Sequence, residues 1–116
     1  MSTAELLSEL ERLLGATGIL RGSDCTRYET DHRRLYAGHA LCVARPSSTR
    51  EVASVVATCA RHGIALVPHG GNTSYCGGPT PDVGGQQVVL SLERMRRIRA
   101  TDPIGGTITV EAGCTL

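Results

Sequence analysis

Leu6, Leu7, Leu10, Leu13 and Leu14 recur at the spacing of one helical face, and Ser2 followed by Glu5 has capping-box spacing. An amphipathic helix is therefore predicted from the N-terminus to about Leu14, ended by Gly15 and Gly18. Arg21 to Gly38 is polar and without period. It predicts an extended connecting segment with a tight turn near Asp31-His32-Arg33-Arg34. Leu41 to Ala44 is a short apolar run stopped by Pro46 and reads as a strand. Ser48 and Glu51 repeat the capping-box pattern. Val52, Val55, Val56 and Cys59 then share one helical face, and Gly63 closes the helix. Ile64 to Val67 predicts a buried strand ending at Pro68. Val88 to Leu92 predicts another, Glu93 to Arg97 a turn or short helix, and Thr107 to Glu111 a half-buried strand.

This order allows a right-handed βαβ crossover between the strands at Leu41 and Ile64. The predicted fold class is α+β, a small mixed sheet with helices on one side. There is no internal repeat. Gly113 to Leu116 follows a strand with no terminating element, which predicts a domain truncated at its C-terminal end.

The 116 residues suffice for one small domain, and 41% apolar content is ordinary for a globular one. Aromatics are 3%, with no Phe or Trp, so the core is left to Leu, Val, Ile and Ala. Such a core is thin, and a partner domain or a bound cofactor would help it. A net charge of +1, mixed along the chain, gives no case for nucleic acid or an anionic membrane. Every basic residue apart from histidine is Arg, a pattern that coding bias explains better than phosphate recognition does.

No apolar run is long enough to span a membrane. The acidic N-terminus lacks signal-peptide and transit-peptide features, which predicts a cytoplasmic protein. Cys25, Cys42, Cys59, Cys76 and Cys114 form no CxxC pair and read as reduced, apolar thiols. His32, His39, His62 and His69 lack metal-ligand spacing, so no metal site is assigned. Arg94, Arg96, Arg97 and Arg99 have no interleaved aromatics and read as a solvated basic turn.

The chemistry concentrates in the stretch from Val67 to Gly78. It follows a buried strand, carries Gly70, Gly71, Gly77 and Gly78, and adds side-chain donors at Asn72, Thr73 and Ser74. Glycines let backbone N–H groups approach a phosphate closely, so a diphosphate could be held here by neutral donors. The spacing is neither G-x-G-x-x-G nor a Walker loop. A plain surface loop of turn formers remains open on composition alone.

Three blocks carry a resemblance. They are Tyr28-x-x-Asp31 through Tyr36 with Pro46 to Val52; His62 to Pro68 leading to Gly70-Gly71-Asn72-Thr73 and Gly77-Gly78; and Leu90 to Met95 with Glu111-Ala112-Gly113. Together, over roughly residues 25–116, they resemble the PCMH-type FAD-binding domain of the vanillyl-alcohol oxidase flavoprotein superfamily. Within it they are most similar to the D-2-hydroxy acid (2-hydroxyglutarate, lactate, glycolate) dehydrogenase branch.

The resemblance implies residues 1–36 as an N-terminal helix and connecting segment, and 37–116 as the first half of the FAD-binding domain. It implies non-covalent FAD, with Pro68, His69, Gly70, Gly71, Asn72, Thr73 and Ser74 along the pyrophosphate, Gly77 and Gly78 completing the turn, and Pro46 beside the adenosine. His69 stands where many relatives carry Arg, Lys or Gln. It further implies a small hydroxy acid substrate, handled by a C-terminal domain, and a separate electron acceptor. No catalytic residue is carried over. Two alternatives stay open: another oxidase of the superfamily, with an alcohol, sugar or amine substrate, and a non-catalytic anion-binding module.

Overall fold

The computed structural model describes residues 2–116. The chain runs through helix α1 (Thr3–Leu14), strand β1 (Ile19–Leu20), a 3₁₀ segment (Gly22–Tyr28), strand β2 (Ala40–Ala44), helix α2 (Thr49–Arg61), and strands β3 (Leu66–His69), β4 (Gln87–Ser91), β5 (Ile98–Asp102) and β6 (Thr107–Val110). Both capping boxes form: Ser2 Oγ accepts from the Glu5 amide at 3.2 Å, and Ser48 Oγ from the Glu51 amide at 3.1 Å.

The main sheet has the order β1-β2-β4-β3. β2, β4 and β3 are parallel, and β1 pairs antiparallel to β2. The fold is the small mixed sheet expected, but β4 lies between the two strands that α2 connects. Alternation along the strands sorts side chains between two faces. Cys42, Ala44, Val88 and Leu90 face α1 and α2, packing with Leu6, Leu10, Leu14, Val55 and Cys59. Val43, Val67 and Val89 face the opposite side, where Cys25 and Tyr28 cover them.

That second layer corrects the extended segment expected after Arg21. A 3₁₀ turn eclipses positions three apart, so Cys25 and Tyr28 reach the sheet together while their neighbours stay polar. On α2, Val56 is exposed and Thr58 is buried in its place. β3 runs two residues later than expected and includes Pro68. It is an edge strand in this sheet, so a residue without an N–H is tolerated on its open side. β5 was not foreseen. It pairs antiparallel with β6, and every residue of both strands is exposed, so β6 is not half-buried as expected. No helix among the described residues is long and apolar enough to cross a membrane.

Candidate functional site

β3 ends at His69, at the carboxyl end of the parallel strands, where ligands of open α/β sheets characteristically bind. The loop that follows opens a cleft of about 540 Å³, lined by Pro68, Gly70, Gly71, Asn72, Thr73, Ser74, Gly78 and Pro79. Among the described residues, no hydrogen bond is donated by the backbone amides of residues 70–75. A Cβ on Gly70 would meet nothing within 4 Å, and one on Gly71 only the Thr115 methyl at 3.5 Å. The fold itself does not require glycine at either position; what their bareness provides is close access to unpaired donors, which suits a phosphate group.

Three of the expected residues do not line the cleft. His69 is buried, its Nδ1 lies 3.3 Å from the Pro79 carbonyl oxygen, and its ring meets Tyr28 edge-on at 5.3 Å. Burial holds its imidazole below the ordinary histidine value, although the Pro79 carbonyl and Glu93 oppose the shift. Gly77 does not line the cleft and shapes the loop instead. Its φ is +75°, and the Tyr36 ring lies 2.9 Å from where a Cβ would be. Pro46 is fully buried and presents no surface to a ligand.

The turn after Thr30 braces the loop. Asp31 is buried, and its Oδ1 accepts from the Tyr36 amide at 2.8 Å. That bond above all, with the amides of Leu35 and Arg33, keeps the carboxyl below its usual range against the cost of burial. The closed turn carries Tyr36 against Gly77 and sets the Arg33 guanidinium over Tyr75 at 5.1 Å. Asn72, at φ +57°, donates from Nδ2 to the Thr30 carbonyl at 2.9 Å.

Beneath the loop, Glu93 gathers Tyr28 and Arg27 by hydrogen bonds and Arg45 at 3.5 Å. Burial disfavours the Glu93 charge, but these partners outweigh it and hold the carboxyl below its ordinary value. Tyr28 is pushed up to about 12, first by burial and then by Glu93. This network ties the ends of β2 and β4 to the 3₁₀ segment. Spacing could not reveal it, because Tyr28 and Glu93 lie far apart in the chain. Cys25, Cys42 and Cys59 are buried free thiols raised by burial, Cys42 to about 12, which leaves them inert.

A small mixed sheet with a glycine-rich, cleft-lining loop at its carboxyl edge suits a nucleotide cofactor. The chain belongs to the FAD binding domain family, whose model matches residues 40–116. It is 33% identical over 111 residues to a probable mitochondrial D-2-hydroxyglutarate dehydrogenase of Oryza sativa subsp. indica, covering 95% of this chain and 20% of that protein. It is 35% identical over 94 residues to a D-2-hydroxyglutarate dehydrogenase of Xanthomonas citri pv. viticola, covering 81% and 20%. Among solved structures it is similar to a 4-ethylphenol oxidase from Gulosibacter chungangensis, with a TM-score of 0.79 and 25% identity over 95% of this chain and 22% of that one. The chain thus spans about a fifth of the length of the curated relatives it matches.

Proposed function

We propose that the full-length protein is an FAD-dependent oxidoreductase acting on a D-2-hydroxy acid, and that this chain holds the FAD pyrophosphate in the cleft after β3. The observation that carries the reading is the run of unpaired backbone amides at residues 70–74 along that cleft. A bound flavin supplies the two-electron acceptor, and a separate acceptor then takes the electrons. Pro68, Gly70, Gly71, Asn72, Thr73, Ser74 and Gly78 line the diphosphate, Gly77 fixes the turn, and His69 supports it from beneath. Residues 37–116 form this portion of the FAD-binding domain. Residues 1–36 form the N-terminal helix and connecting segment, with the α1 leucines buried in the same core as β2 and β4.

FAD is held non-covalently. Asn72 follows the glycine pair, its amide is no nucleophile, and its Nδ2 is occupied by Thr30. The His69 ring is turned toward Tyr28 and Pro79. Acid precipitation of the full-length holoprotein should leave flavin in the supernatant; flavin migrating with the polypeptide on a denaturing gel would overturn this. Whether the full-length protein is cytoplasmic or mitochondrial is decided by fractionating cells that express it. The hydroxy acid class rests on the names of the relatives. Dye-linked assays over a panel of D-2-hydroxy acids, alcohols and sugars decide it. Turnover of phenols or alcohols alone would favour the second reading, an oxidase like the 4-ethylphenol oxidase to which the fold is similar.

A further inference from the structure

A diphosphate carries negative charge, yet the loop that borders the cleft carries no fixed positive charge. Residues 68–78 contain no Lys or Arg. The one titratable base among them, His69, is buried beneath the loop and faces Tyr28 and Pro79. Neutral amides orient a phosphate, but a buried or half-buried anion gains most from a guanidinium.

A second cleft, of about 460 Å³, meets the first at Asn72. It is lined by Thr26, Arg27, Thr30, Asp31, Arg34 and Asn72. Only two non-glycine residues among those described have left-handed backbone, Arg34 at φ +58° and Asn72 at φ +57°, and both line this cleft. Such a conformation costs a side-chain-bearing residue about 1 kcal/mol or more, and outliers of this kind cluster at ligand sites. Of the two arginines, Arg27 is committed to Glu93 at 2.8 Å and to the Tyr28 hydroxyl. Arg34 makes no ion pair and donates no side-chain hydrogen bond to any described residue.

We propose that Arg34 is the phosphate-reading cation of this site: carried by the closed turn from Asp31 to Tyr36 on the cleft it shares with Asn72, its guanidinium binds the anionic diphosphate that the neutral loop orients. The inference rests on the FAD reading above and names the residue that supplies its charge. Asp31 holds the turn through the Tyr36 amide, and the backbone amide of Arg34 donates to the Asp31 carbonyl at 3.0 Å. The strained residue is thus fixed at the end of a short, pinned turn and does not wander on a free loop.

The test is the FAD dissociation constant of the full-length apoprotein at several salt concentrations, for wild type, Arg34→Gly and Arg34→Lys. Glycine relieves the left-handed backbone, so that variant keeps its fold while losing the guanidinium. Arg34→Gly should bind FAD roughly tenfold more weakly and lose part of the salt dependence seen in wild type. Arg34→Lys should keep the salt dependence and most of the affinity. Wild-type affinity and an unchanged salt slope in Arg34→Gly would overturn the proposal. A wild-type apoprotein that binds no FAD would instead overturn the FAD reading itself.

Discussion

At the scale of single residues the glycines of the loop separate into two kinds. Gly71 has ordinary backbone and only a methyl within reach, so a larger residue there changes what can approach the cleft more than it changes the fold. Gly71→Val should therefore lose FAD retention in the full-length protein with a small change in melting temperature. The ratio of visible flavin absorbance to protein absorbance after purification measures it, and a full complement of FAD would show that the diphosphate lies elsewhere. Gly77 is the contrast. Its positive φ and the Tyr36 ring both oppose a side chain, so Gly77→Ala should cost about 1–3 kcal/mol of stability whether or not FAD is present. Gly38 and Gly113 are tighter still. A Cβ on the first would overlap the Pro81 and Asp82 carbonyl oxygens, and on the second the Leu92 carbonyl.

His69 gives a residue-level pH dependence. Its folded-state affinity for a proton is lowered, first by burial, so the unfolded chain binds the proton more readily. Stability is then complete above the ordinary value of 6.5 and falls as pH drops from there toward the lowered folded value. The depressed carboxyls of Asp31, Glu93 and Glu111 act in the same direction at lower pH, below their ordinary values of 3.8, 4.5 and 4.5. Thermal melts of wild type and His69→Gln between neutral and mildly acidic pH separate the two contributions. The variant should show a flatter profile just below 6.5, with the lower-pH loss retained. Matching profiles in that upper range would mean His69 is not the group responsible.

At the scale of elements, the helices and the parallel strands were legible because their signals are local. Ser2 with Glu5 and Ser48 with Glu51 announce two helix starts, and the apolar runs around Val43 and Val89 announce two strands. The loop was visible as a cluster of glycines, Gly70, Gly71, Gly77 and Gly78, directly after an apolar run. What was not legible depends on contacts between distant residues. The 3₁₀ layer buries only Cys25 and Tyr28, too few positions to set a period. β5 mixes Ile98 with Arg99, Thr101 and Asp102 and buries none of them, so no alternation marks it. The pairing of Tyr28 with Glu93 is invisible without the fold. Its weight can be measured: Tyr28→Phe removes a hydroxyl donor to a half-buried carboxylate, and should lower stability by about 2 kcal/mol in denaturant unfolding. A change within a few tenths would show that Arg27 and Arg45 satisfy Glu93 unaided.

At the scale of the whole molecule, the 116-residue chain alone should bind FAD weakly. The cleft after β3 is open, and its donors are the backbone amides of a solvent-facing loop. Each hydrogen bond formed there replaces one to water and returns about 0.5–1.5 kcal/mol, before the cost of immobilising the ligand is met. The β5–β6 hairpin adds a second difficulty. Ile98, Ile104, Ile108 and Val110 are all exposed, and Ile98, Ile108, Val110 and Leu116 line one apolar hollow with Cys114 and Thr115. Its two edge strands are unprotected against pairing with another copy. The isolated chain should therefore keep its helices and four-stranded sheet but associate as concentration rises. Replacing Ile98 and Ile108 with Thr should reduce that association and leave the melting temperature nearly unchanged, because neither residue packs in the core. Sedimentation of the chain and its double variant over a concentration series measures the first effect. Titration calorimetry with FAD measures the binding: a dissociation constant well above micromolar is expected. A submicromolar value at one-to-one stoichiometry would mean that these 116 residues already enclose the cofactor, and that the open cleft closes around it.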